Sequence, residues 1–391
     1  MRRLLSILLK GLAAFLLLLV CVGTFLYLSD PIFYKRLATA MQGMDVSAVE
    51  WRQPNERVPG GDAELEVADE HKLDAEAVSE AITYAEHTDS MALLVYHRGA
   101  LVVERYWEDH ASDSRFDSGS MHKSVLGLLI GAAIDDGYIE SLNDPVGKYI
   151  EEWSEDERGD IALRELLTMS SGLKVEAMRP TPFNKGMRLM LGADINELAL
   201  SLPREQEPGQ AFEYMNFNSQ ILGIALVRAV ERPYAEYLAE RIWQPLGAPD
   251  AAVWLDREGG DPRTFCCLLT SARAWVKVGK LFLNEGRVAG EQVLPAEWIR
   301  QMASPSEVNP NYGLHVWLGA PEDGQREYNS ASDFAVRHSA PYKADDVLFF
   351  DGAGGQRLYV IPSAELAIVR IGHPETDWDD AILPNTLLRG L

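Results

Sequence analysis

The chain has 391 residues, 47% hydrophobic and 24% charged, an ordinary globular balance without repeats or low-complexity tracts. Its 59 acidic residues against 36 basic ones give a formal charge of −23, and the acids are scattered, so the surface is a solvated acidic one that repels nucleic-acid backbones. Three cysteines exclude a disulfide framework: Cys21 lies in an apolar run, and the adjacent Cys266 and Cys267 can pair only through a rare strained ring, so a packed core is the expectation for both.

In chain order, Met1, Arg2, Arg3 and Lys10 lead into an uncharged run from Gly11 to Ser29 that ends at Asp30. The run is close to the roughly 20 residues needed to span a bilayer. Residues 1–29 are therefore expected to be an N-terminal transmembrane anchor or uncleaved signal. The positive flank stays in the cytoplasm, so a single-pass anchor in the cytoplasmic (inner) membrane carries the rest outside. A cleaved signal ranks second, for want of an Ala-x-Ala site, and a lipoprotein at Cys21 third. Residues 30–72, mixed and polar with Gln53-Pro54-Asn55 and Pro59-Gly60-Gly61-Asp62, are expected to be a spacer.

The folded domain is expected over 73–391. Apolar spacing predicts a helix over Leu73–His87, then a hairpin of Met91–Tyr96 and Leu101–Tyr106 turning at Arg98-Gly99-Ala100. Helical patterns follow at Ser120–Asp135, Leu163–Met169, Asn216–Val230, Tyr234–Trp243 and Thr270–Leu283. Strand-like runs return only near the end, at Tyr312–Leu318, Val347–Phe350, Arg357–Ile361 and Leu366–Ile371. The fold class expected is α/β (α+β): one antiparallel β-sheet flanked by helices, with an inserted all-helical subdomain.

Three motifs carry candidate chemistry. Ser120-Met121-His122-Lys123 opens the apolar helix, and on a helix a hydroxyl and an amine three residues apart share a face. A buried lysine that sheds its charge can take the proton of a serine nucleophile, and the helix N-terminus favours a developing oxyanion. The bland alternative, a helix cap with a surface lysine, weighs about equally at this point. A second Ser-x-x-Lys at Ser171–Lys174 runs through glycine into a polar stretch and reads as loop.

Tyr214-Met215-Asn216 follows the turn Pro208-Gly209-Gln210 and precedes an amphipathic helix. Tyr214 is either a proton relay or a core aromatic; Asn216 either bonds a substrate carbonyl or is an N-cap. Gly352-Ala353-Gly354-Gly355-Gln356, between two strand-like runs, is either a hairpin turn or a bare strand edge against which substrate lies, with Gly352, Gly354 and Gly355 as binding positions. The eight histidines show no HExxH pair and no zinc spacing, so neither metal nor cofactor is called for.

Together, in this order, the motifs resemble the serine β-lactamase and penicillin-binding-protein superfamily, particularly its class C branch with related esterases and 6-aminohexanoate-dimer hydrolases. Leu142-Asn143-Asp144-Pro145-Val146, the stretch Leu163–Leu173 and Pro245-Leu246-Gly247 look like further landmarks of that group, and the likeness covers residues 75 to 372. It implies a covalent acyl-enzyme on Ser120, Lys123 and Tyr214 as the proton-handling pair, and the N–H groups of Ser120 and Gly355 as oxyanion donors. Which of Lys123 and Tyr214 is the base stays open. One departure stands out: where that group places Lys-Thr-Gly, this chain has Gly352-Ala353-Gly354 and no cation. That argues against β-lactam or D-Ala-D-Ala recognition unless Arg337, His338 or Lys343 substitutes. A small-molecule ester or amide is thus the expected substrate. β-Lactamase or D-Ala-D-Ala carboxypeptidase activity is the alternative, and a non-catalytic envelope scaffold or sensor is the reading from another class.

Overall fold

Six antiparallel strands form the main sheet, in the order Ala100–Tyr106, Ser90–His97, Leu366–Gly372, Gln356–Ile361, Leu348–Gly352 and Trp317–Leu318. The computed structural model describes every residue except 1, 44, 69, 180 and 374–376. Residues along Ser90–His97 are buried on both faces, which is why that run is apolar without alternation. Side chains there nonetheless divide by parity. Ala92, Leu94 and Tyr96 join the larger core with helix Ala272–Leu283, whereas Leu93 and Val95 join a second core with helices Ala75–His87 and Ile382–Arg389.

The hairpin over 90–106 and the helices at 75–87, 163–167, 216–230 and 272–283 lie where the sequence predicts them, within a few residues. Of the Tyr312–Leu318 run, only Trp317–Leu318 is strand. The helical insertion is built around His122–Asp135, which is buried on all sides from His122 to Ala133, and Asn216–Val230, which packs on it. An all-round apolar helix has this one stable place in a globular protein.

Three expectations need correction. Strands do not return only near the end: Asn55–Val58, Ala251–Trp254, Leu268–Thr270 and Phe116–Asp117 form a second, four-stranded antiparallel sheet. These strands are two to four residues long, too short to show a period.

The stretch expected as a spacer is largely folded onto the body. Asp30 caps helix Pro31–Ala40 by accepting from Phe33 N at 3.0 Å, and Phe33 is fully buried. Arg36 donates to the carbonyls of Leu191, Gly192, Asp256, Gln53 and Leu255, and Arg52 pairs with Asp117 at 2.6 Å. A polar composition reads as linker, yet these arginines satisfy carbonyls and a carboxylate that distant loops present.

Finally, Cys266 and Cys267 lie in the larger core, as expected, but are also joined to each other in a disulfide. Helix Arg2–Ser29 is long and apolar enough to cross a membrane and stands clear of the body.

Candidate active site

Strand Phe116–Asp117 hands the chain to a tight turn at Gly119, whose φ of +53° suits a residue without a Cβ. Asp117 Oδ1 accepts from Gly119 N at 2.8 Å, and a 3-10 turn over Gly119–Met121 then runs into the buried helix His122–Asp135. Ser120 stays partly exposed at the head of that helix, and Lys123, one turn on, is 1% exposed.

Lys123 Nζ meets three acceptors: Ser120 Oγ at 2.8 Å, Asn216 Oδ1 at 2.8 Å and Phe265 O at 2.7 Å. Burial pushes its pKa down to about 7, against the opposing pull of the Asp351 carboxylate. Its ammonium also lies 4.9 Å from the Tyr214 ring centroid. Tyr214 has its pKa raised, chiefly by burial and then by the charge of Asp351, with the Ser120 hydroxyl partly opposing the rise. Tyr214 is fixed by backbone and ring contacts. Its N–H donates to Tyr328 O at 2.8 Å, its carbonyl accepts from Asn329 Nδ2 at 3.0 Å, and its ring packs on Tyr312, Trp317 and Tyr328.

Asn216 is not an N-cap. Met215 holds that position without a side-chain cap bond, and the Asn216 amide oxygen faces Lys123 instead. The second Ser-x-x-Lys does not converge: Ser171 donates to Asn218 Oδ1 at 2.7 Å inside the core, while Lys174 reaches out to Glu205 at 3.7 Å.

The segment that supplies Phe265 O is wired to the serine turn at each of three residues. Cys266 O bonds His122 Nδ1 at 2.7 Å, and Cys267 N–H donates to Gly119 O at 3.1 Å. Burial lowers His122 to about 4, so its ring is neutral. With Nδ1–H given to a carbonyl, its Nε2 accepts from the Tyr234 hydroxyl at 2.9 Å. Nothing in the local sequence around Phe265 signals this role.

Of the glycines, Gly352 lies against the serine turn: a Cβ there would sit 2.3 Å from Ser118 O. Gly354 and Gly355 make the positive-φ turn beyond it, and a Cβ on Gly355 would meet Arg370 and Trp378. Ala353, which sequence reasoning passed over between the glycines, presents its amide to the serine turn. A Cβ on Gly119 would come within 2.9 Å of Ala353 N, and among the described residues that N–H has no backbone acceptor.

Behind this strand end Asp351 is held by Arg326 at 3.0 Å, by Arg357 at 2.5 Å and by the Tyr328 hydroxyl. Asp380 binds the same two arginines, Arg357 at 2.8 Å. Two cations and two anions leave the buried cluster neutral, with neither guanidinium free to bind a carboxylate. Arg337 pairs with Asp379 at 3.6 Å, and neither His338 nor Lys343 bonds to Ser120, Lys123 or Tyr214. His338 instead lines a cavity of about 870 Å³ with Phe212, Trp317, Tyr328 and Phe349. This cavity lies behind the wall of rings that holds Tyr214 and does not include Ser120.

The beta-lactamase family model matches residues 74–380. The chain belongs to the beta-lactamase family. Within that family it is 25% identical to a 6-aminohexanoate-dimer hydrolase of Paenarthrobacter ureafaciens over 232 residues, 56% of this chain and 58% of the relative, less than two thirds of that enzyme's length. An uncharacterized protein of Alkalihalophilus pseudofirmus is 23% identical over 308 residues, 73% of this chain and 85% of that one. Among solved structures, a 6-aminohexanoate-dimer hydrolase candidate of Bacillus anthracis superposes with a TM-score of 0.72 at 20% identity, covering 88% of this chain and 92% of that one. A class C beta-lactamase of Rhodobacter sphaeroides gives 0.58 at 17%, covering 80% and 97%. The antiparallel sheet, flanking helices and helical insertion are thus the beta-lactamase fold.

Proposed function

We propose that this member of the family is a serine hydrolase that cleaves an ester or amide bond through an acyl-enzyme on Ser120. The observation that carries the reading is the bonding of Lys123. When its ammonium gives up one proton, the two remaining N–H groups stay on Asn216 Oδ1 and Phe265 O, which can only accept, and the lone pair is left facing Ser120 Oγ. With Lys123 lowered to about 7 and Tyr214 raised, the lysine is the base that is free near neutral pH.

Ser120 Oγ then attacks the carbonyl carbon as its proton passes to Lys123. The oxyanion is met by the N–H groups of Ser120 and Ala353, with Gly352 allowing their close approach. The neutral Tyr214 hydroxyl relays a proton to the leaving alcohol or amine, and water attacking the ester carbon releases the acid and restores Ser120. Asn216 positions Lys123 in this scheme, and Gly354 and Gly355 shape the turn.

The locked Arg326 and Arg357 support a substrate without a carboxylate beside the strand end, and the 6-aminohexanoate-dimer hydrolase relatives point to an oligoamide or ester. The family match keeps β-lactam hydrolysis as the second reading. Turnover of a chromogenic cephalosporin at enzyme-like rates would favour it. Helix Arg2–Ser29 is read as the anchor, with the hydrolase outside the cytoplasm.

Intact-mass spectrometry after incubation with a fluorophosphonate tests the nucleophile. One adduct is expected on the unaltered protein and none on Ser120→Ala. No adduct on either folded protein would point instead to a non-catalytic scaffold.

A further inference from the structure

Arg188 joins two parts of the chain that are distant in sequence. Its Nη1 pairs with Asp30 at 2.9 Å, its Nε donates to Pro182 O at 3.0 Å, and its guanidinium lies over the Phe33 ring at 4.8 Å. Asp30 is the first charged residue after the apolar helix Arg2–Ser29. The end of that helix and the loop around Pro182 therefore share one guanidinium.

Phe183, next to Pro182, is 74% exposed, and Met178 in the same loop is 46% exposed. Asn184 braces the loop: its Oδ1 accepts from Arg179 N at 3.0 Å and Met187 N at 2.8 Å, and its Nδ2 donates to Ala177 O at 3.0 Å. Two large apolar side chains are thus displayed on a shaped loop. Arg179 beside them and Lys35 on helix Pro31–Ala40 are exposed and, among the described residues, in no ion pair. They put positive charge at this place on a chain whose formal charge is −23. The other end of the loop reaches the candidate site, where Glu176 N–H meets Met215 Sδ at 3.4 Å beside Tyr214.

We propose that this loop rests in the headgroup and acyl boundary of the bilayer that helix Arg2–Ser29 spans. Phe183 and Met178 enter the apolar side, and Arg179 and Lys35 face anionic headgroups. The Tyr214 side of the site then lies near the membrane surface, and the preferred substrate is an amphiphilic ester or amide held in the lipid. The inference rests on the anchor and hydrolase readings above.

The test uses the full chain in vesicles of zwitterionic and anionic phospholipid, with Cys21→Ala and either Phe183→Cys or, on the hairpin Gly324–His338, Phe334→Cys. Each introduced thiol carries an environment-sensitive dye. A nitroxide borne by the lipid is expected to quench the dye at 183 strongly and the dye at 334 weakly. Phe183→Ser is expected to slow hydrolysis of a long-chain ester in the vesicle several-fold and to leave a soluble short-chain ester unaffected. Equal, weak quenching at both positions in protein that survives an alkaline carbonate wash overturns the docking alone. Release of the protein by that wash overturns the anchor reading, and the docking with it. Equal slowing of both esters overturns the substrate class.

Discussion

Lys123 can serve as a base only where its amine is free, and burial is what brings that condition near neutral pH. A lysine in the unfolded chain titrates at about 10.4. In the fold desolvation moves Lys123 to about 7. Below that value the ammonium dominates and Ser120 has no acceptor for its proton, so kcat/KM for a soluble ester should rise with pH through a midpoint near 7. It should hold its plateau well into the alkaline range, because the raised Tyr214 remains a proton donor there. Lys123→Arg, which keeps the charge and cannot lose it, should cost about 10²–10⁴-fold on the plateau above that midpoint and abolish the rise with pH. A profile flat from pH 5 to 9 would remove Lys123 as the base. The same shift affects stability. Between about 7 and about 10 the native state binds fewer protons than the unfolded one, so Lys123 adds stability as pH rises across that window and adds none below it. At this scale the pairing of Ser120 with Lys123 was legible, because i and i+3 on a helix must face one way. The part played by Asn216 was not, since a residue at a helix start looks the same whether it caps or points away.

At the scale of elements, the site depends on the serine turn and the end of strand Leu348–Gly352 touching without a side chain between them. Gly119→Ala forces a Cβ to within 2.9 Å of Ala353 N at a φ of +53°. The turn and the strand must part, costing about 1 kcal/mol or more in stability and displacing both proposed oxyanion donors. Gly99→Ala is the control: its φ is +101°, with nothing within 4 Å of the added carbon. We expect thermal melts to fall for both variants and the fluorophosphonate labelling rate to fall only for Gly119→Ala. Wild-type labelling of Gly119→Ala would show that the close approach does not matter. Long elements such as His122–Asp135 were legible because many residues repeat one pattern. The short strands of the second sheet were not, because their pairing is set by partners far along the chain.

At the scale of the molecule, residues 31–58 hold the helical insertion and the second sheet together. Arg36 satisfies five carbonyls from three separate loops, and strand Asn55–Val58 covers the edge of Ala251–Trp254. A form beginning at Asp30 should melt cooperatively. One beginning at Leu73 loses Phe33, Val46, Val58 and Leu65 from the core, uncovers a sheet edge, and should lose the cooperative transition. Equal melting temperatures for the two forms, followed by circular dichroism, would restore the spacer reading.

The sequence by itself determined what short range controls: the apolar N-terminal helix, the helix and strand periods of the main elements, and the spacing of Ser120, Lys123 and Tyr214. Tertiary structure alone decided the chemistry those residues can do. Lys123 becomes a stronger acid than a free lysine because a core closes over it, and Phe265 O, 142 positions away, accepts one of its hydrogen bonds. Ala353 reaches Gly119 only through the register of the sheet, and Arg326 and Arg357 are spoken for only because Asp351 and Asp380 meet them in the interior. Burial and long-range pairing set dielectric and charge, and neither is a property of any local stretch of residues.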